Sequence, residues 1–149
     1  MGCTSSKQGL PPELRFNEQD LCDFIKIGDL DALQMCLTKN NVNYIDHRSK
    51  SLMHHAAQFQ QYQCASILMD KRAPINSKTR SGETALMTCA SNGCVDILKL
   101  LVQNGAELEI KDRNGCTAVH FAAWHGKTEI LKILLEANCI PTEISNEGL

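Results

Sequence analysis

The sequence predicts an all-α solenoid of short helix–turn–helix units, and three observations predict it. Rows of sequence laid 33 residues apart coincide: Asp46, Thr79 and Asp112, then Ser49, Gly82, Gly115 and Gly148. The coincidence continues through Ala57, Ala90 and Ala123, through Leu68, Leu101 and Leu134, and through Ala73, Ala106 and Cys139. Within each unit a turn residue is followed by a hydroxyl and then by apolar residues at helical spacing. Length agrees: 149 residues can bury a single core without disulfides or a metal.

Each unit opens on a turn. Gly82 and Gly115 lack Cβ and can take positive φ, which a tight turn requires. Ser51, Thr84 and Thr117 follow at the N-cap position of a first helix, where a side-chain oxygen accepts an otherwise unpaired backbone N–H. The pairs Ala56-Ala57 and Ala122-Ala123 let neighbouring helices approach closely. Gly93 and Gly126 end that helix, and Ile97, Leu98, Leu101 and Ile130, Leu131, Leu134 mark a second, amphipathic one. In the second unit Gln60-Gln61 stands where the others have glycine, so a left-handed residue is expected there at about 1 kcal/mol.

These units resemble the ankyrin repeat. Its Thr-Pro-Leu-His-x-Ala-Ala signature is echoed by Ser51–Ala57 and Thr117–Ala123, and its Gly-Ala-Asp-x-Asn signature by Asn104–Glu109. The proline is replaced by Leu52, Ala85 and Ala118, and the histidine, present as His54 and His120, becomes Met87 in between. Proline at the first helical turn helps without being required. A degenerate first unit precedes these, since Ile27–Leu37 matches the later second helices at an offset of 32. Asp20, Asp23, Asp29 and Asp31 supply the polar outer face that a terminal repeat needs. The organisation expected is a flexible leader over 1–16, repeats over 17–45, 46–78, 79–111 and 112–144, and a tail over 145–149 that begins a fifth unit. No C-terminal cap is visible, which implies either a longer solenoid or an apolar flank open to self-association.

The leader Met1-Gly2-Cys3-Thr4-Ser5-Ser6 fits the N-myristoylation template, with Gly2 as acceptor. One myristoyl chain binds membranes only marginally, with an association constant on the order of 10⁴ M⁻¹, so a second signal is needed. Cys3 is placed for palmitate, as in the similar N-termini of Src-family kinases and many G-protein α subunits, whereas Lys7 and Arg15 are the only basic residues before the repeats. The expected address is the cytoplasmic face of a membrane. No run of about 20 apolar residues could cross it.

The resemblance further implies that partners bind at the turn tips and inner-helix surface of the concave face. Carried over, those positions are His47, Arg48, Lys50, Gln58, Phe59 and Lys78, then Arg80, Ser81, Glu83, Ser91, Asn92 and Lys111, then Arg113, Asn114, Cys116, Trp124, His125 and Ile144. Arg48, Lys50, Lys78, Arg80, Lys111 and Arg113 face one acid, Glu83, while the whole chain carries a formal charge of −2. Such a strip, with Phe59, Trp124 and His125 interleaved, suits an acidic or phosphorylated protein segment. The acidic balance disfavours nucleic acid. The rival readings are a soluble regulatory or inhibitory subunit of an enzyme such as a kinase, and the N-terminal targeting part of a longer enzyme.

Chemistry finds little support. Eight cysteines include no Cys-x-x-Cys pair and no secretory signal accompanies them, so they read as reduced thiols and no metal or other cofactor is expected. Gly126-Lys127-Thr128 resembles the end of a phosphate-binding loop, but Phe121 stands where that loop needs its first glycine. Cys116 and His120 lack a third partner, and His54 and His120 are expected to bridge backbone groups between repeats.

Overall fold

The structure, a computed structural model, describes residues 17–137. Among them the helices run α1 (Glu18–Ile27), α2 (Leu30–Cys36), α3 (Leu52–Gln58), α4 (Tyr62–Asp70), α5 (Ala85–Asn92), α6 (Val95–Gln103), α7 (Ala118–Trp124) and α8 (Thr128–Glu136). They form four antiparallel hairpins stacked in two layers. The inner layer packs α1 on α3, α3 on α5 and α5 on α7; the outer packs α2 on α4, α4 on α6 and α6 on α8.

The two central inner helices, α3 and α5, are buried on most sides by the inner helices that flank them. In α3, Leu52 through Ala57 are all buried, and in α5 only Thr88, Ser91 and Asn92 escape. The outer helices bury one stripe: Cys64, Ala65 and Leu68; Ile97, Leu98 and Leu101; Ile130 and Leu134. Leu131, expected in the same stripe, is half-buried, and Ala123 of the expected close-packing pair is exposed while Ala122 is buried.

Ser51, Thr84 and Thr117 cap the inner helices as expected, each forming a reciprocal capping box with the residue three positions on. The returning group is His54 Nδ1, Met87 Sδ and His120 Nδ1 respectively. Gly28 and Gly93 close α1 and α5 in the left-handed conformation, and Gly126, one residue past the cap of α7, is left-handed too. Gln60 holds the equivalent place with φ 55°, as the sequence requires. The neighbouring Gln61 donates from Nε2 to the Lys26 carbonyl, tying α4 to the end of α1.

In the first repeat Asp23, Asp29 and Asp31 are exposed and Asp20 is half-exposed. The outer face is less polar than expected, because Ile27 and Met35 are also 71% and 68% exposed. Gly2 and Cys3, the leader, Ile144 and the tail lie outside the described residues.

Candidate partner-binding face

Each turn tip is built from one acceptor side chain. Asp46 Oδ1 accepts the amides of Arg48 (2.8 Å) and Lys50 (2.9 Å). Asp112 Oδ1 does the same for Asn114 and Cys116, both at 2.9 Å. Between them Thr79 Oγ1 accepts only the Glu83 amide, at 3.2 Å, and meets Ser81 Oγ at 3.0 Å. Backbone bonds from residues 46, 79 and 112 to the carbonyls of 50, 83 and 116 close the tips. The fourth position of each turn is left-handed: Ser49 at 63°, Gly82 at 84° and Gly115 at 80°.

The tips are joined to one another. Arg113 donates its amide to the Ser81 carbonyl at 3.0 Å, and a Cβ on Gly82 would come within 3.1 Å of Arg113 N and Asp112 Cα. Gly82 is therefore fixed twice, by its φ and by the approaching strand of backbone. Deeper in, His54 Nε2 lies 2.9 Å from the Glu83 carbonyl. With Nδ1 accepting from Ser51, the ring is the neutral Nε2–H tautomer and donates across the repeat boundary. Burial pushes its pKa down, partly opposed by that bond to Glu83. This is the bridging role expected for His54. His120 makes the local half, with Nδ1 3.0 Å from Thr117 N.

The structure separates the expected contact residues into three groups. Arg48, Lys50 and Phe59 meet in one cleft of about 220 Å³ at the first-repeat end, with Gln19, Asp23, Lys26, His47 and Gln58 also lining it. Lys50 Nζ donates to Gln58 Oε1 at 2.8 Å. Lys26 Nζ stands 5.8 Å from the Phe59 ring centroid, and His55 stacks on the same ring at 6.3 Å. A second group lies on the tips: Lys78, Arg80, Lys111 and Arg113 are all exposed, and Arg80 and Arg113 occupy equivalent positions of consecutive repeats. Trp124 and His125 form a third group at the far end, where Trp124 packs edge-on against Phe121 at 6.2 Å and His125 donates Nδ1–H to the Phe121 carbonyl. One position is corrected outright: Cys116, placed on the face by its register with Lys50 and Glu83, is completely buried.

Beneath the cleft lies a pair that the sequence reading missed. His55 Nε2 is 3.0 Å from Asp46 Oδ2, both residues being buried. Burial alone would raise the Asp46 pKa, but the Lys50 and Arg48 amides and His55 together outweigh it and hold the carboxyl below its usual range. Burial depresses His55 more than Asp46 raises it, so the ring is neutral near pH 7 and its Nδ1 has no partner among the described residues. Cys22 lines the same cleft, its thiol pushed up to about 12 by burial, then by Asp46 and Asp23, which keeps it protonated and a poor nucleophile. Lys26 was missed as well, because it reaches the cleft from a different repeat. Asp46 had a signal in its repetition as Asp112; His55 had none, since its counterparts are Thr88 and Phe121.

Among the described residues no group of three or more His, Cys, Asp or Glu side chains could hold a metal ion, and no helix is long and apolar enough to cross a membrane. No curated protein matches the chain. A family model described as ankyrin repeats (3 copies) matches residues 21–112 and 75–145. Those matches span most of the chain and coincide with the stacked hairpins, their capping boxes and their tips, so the chain belongs to the ankyrin-repeat family and carries a protein–protein interaction module.

Proposed function

We propose that this chain is a membrane-tethered adaptor that holds an acidic or phosphorylated segment of a protein partner along the basic side of its repeats. The observation that carries the reading is the exposed row of Lys78, Arg80, Lys111 and Arg113 on tips fastened together by the Arg113–Ser81 backbone bond. Fixed cations on a rigid edge speed encounter with an anionic segment and set its register. Arg48, Lys50, Lys26 and the Phe59 ring at one end, and Trp124 with His125 at the other, offer the aromatic and cationic anchors that dominate binding energy in such interfaces.

Myristate on Gly2 and palmitate on Cys3 supply the tether in this reading, supported by the sequence Met-Gly-Cys-Thr-Ser-Ser alone. Holding the repeats at a surface raises the effective concentration of any partner there, so modest affinity is sufficient. The half-buried Phe121 and Leu131 and the exposed Trp124 and Leu135 of the fourth repeat are the site for self-association, which light scattering at high protein concentration tests directly. The functional test has two arms. Labelling with a myristate analogue should be lost in Gly2→Ala, and membrane residence in either Gly2→Ala or Cys3→Ser. Partner proteins cross-linked to the native chain in cells should be absent from an Arg80→Glu, Arg113→Glu double variant. An unlabelled chain wholly in the soluble fraction would replace the adaptor with a soluble regulatory subunit, and an unchanged cross-linking pattern would discard the basic row.

A further inference from the structure

A depression of about 530 Å³ lies where the loop after α2 meets the end of α4. Its lining is Lys39, Val42, Asn43, Asp70, Lys71 and Arg72. Val42 is buried and floors it, while the three cations are exposed and make no ion pair among the described residues. Three cations against one carboxylate, Asp70, leave two net positive charges around a concavity of ligand size.

Ordinary repeat architecture does not account for this collection. Lys39 and Lys71 occupy equivalent positions of the first and second repeats, so stacking sets them side by side; the third repeat has Asn104 there. Arg72 is the stronger case. It sits at φ 60°, in the left-handed turn that closes α4 through Arg72 N to Met69 O and Ala73 N to Leu68 O, each 2.9 Å. The third repeat makes the same turn with Gly105 at φ 84°, where a Cβ would meet nothing within 4 Å. A residue with a large cationic side chain is thus held in a conformation that glycine takes without strain, and it lines the depression. Cations do favour helix C-termini, yet α6 and α8 end at Asn104 and Ala137 without one.

We propose that this depression binds a phosphate monoester. Such a group carries between one and a half and two negative charges near neutral pH, matching the net charge of the lining. Arg72 offers a planar fork to two phosphate oxygens, Lys39 and Lys71 act as point charges beside it, and the Asn43 amide can donate to the third oxygen. The site shares no residue with the tip row, and its occupancy does not depend on any protein partner. The phosphate can belong to a lipid headgroup or to a small soluble molecule, and the recognition chemistry is the same.

The test uses the full chain carrying Gly2→Ala, so that no acyl chain contributes. Inositol trisphosphate is titrated calorimetrically, and vesicles of phosphatidylcholine with and without phosphatidylinositol bisphosphate are co-sedimented. Lys71→Ala and Arg72→Gly should each weaken binding at least tenfold, with Arg72→Gly melting no lower than the parent, whereas Lys99→Ala on exposed α6 should change it less than twofold. Binding in solution identifies a free phosphate as sufficient; binding to the phosphoinositide vesicles alone identifies the headgroup. Absence of binding in both arms, or variants indistinguishable from Lys99→Ala, overturns the proposal. No partner protein enters either arm, so the result is independent of the adaptor reading.

Discussion

Three non-glycine residues are left-handed among the described residues, Ser49, Gln60 and Arg72, and all fall in the second repeat; their counterparts in the third are Gly82, Gly93 and Gly105. Gln60 is the cleanest to change, being exposed and holding the fold only through its backbone bond to the Ala57 carbonyl. A left-handed L-residue carries roughly 1–2 kcal/mol of strain, and glycine gives back about 0.4–1 kcal/mol through the freer unfolded chain. Gln60→Gly should therefore stabilise the protein by about 0.5–1 kcal/mol. Ser49→Gly shares no partner with it and should add to it. Urea unfolding followed by circular dichroism should show a higher midpoint at unchanged slope, and amide exchange should slow most in α3 and α4. The reverse change, Gly93→Gln, should lower stability by more than about 1 kcal/mol. A midpoint that falls or stands still in Gln60→Gly would refute the assignment of strain to that turn.

Acid should weaken the fold in two stages. His54 and His55 have folded pKa values depressed below the usual value of about 6.5, so the folded state binds fewer protons than the unfolded one. Their contribution is complete above that value and is lost as pH falls through the folded values, with a limiting slope of about 1.4 kcal/mol per pH unit for each ring. Asp46 is also depressed, so its contribution holds above the ordinary carboxylate pKa and disappears as pH falls below it. Unfolding midpoints measured from pH 8 to pH 3 should decline first below about 6.5 and again below about 4; a flat profile from pH 7 to 5 would contradict the neutral, buried rings. Asp46→Asn keeps one oxygen for the Arg48 and Lys50 amides but turns an NH₂ toward His55 Nε2–H. It should lower stability by about 1–3 kcal/mol and move the His55 proton to Nδ1, a tautomer change visible in nitrogen chemical shifts.

Much of the hairpin architecture was legible because it repeats. Ser51, Thr84 and Thr117 recur at one register and each caps a helix, and the 3, 4 spacing of Ile97, Leu98 and Leu101 names the buried stripe of α6. Even the left-handed turn at Gln60 could be read, since the same backbone must be made there without glycine. Register failed where one position serves different environments. Lys50, Glu83 and Cys116 share a column, yet an aliphatic thiol follows the apolar interior while the charged counterparts stay at the surface. Side-chain pairings were also hidden, since nothing in the sequence marks Lys26 and Phe59, from adjacent repeats, or Asp46 and His55, within one repeat, as being in contact. The basic depression joins residues 39, 43 and 71–72 from two repeats, and the third repeat has Asn104 and Gly105 in the columns of Lys71 and Arg72, so the repeating pattern does not mark it.

The backbone bond from Arg113 to Ser81, with Gly82 too tightly met to carry a side chain, makes the edge of the solenoid behave as a ruler. The tips of the third and fourth repeats are held at the spacing of packed helices, about 8–10 Å, and the backbones that carry Arg80 and Arg113 cannot drift apart to suit a ligand. On the proposed reading, a partner that presents negative groups at about that interval would engage Arg80 and Arg113 together, and one that carries the same charge at a much wider interval would meet a single tip at a time, so spacing along the partner's chain would count beside the amount of charge it bears.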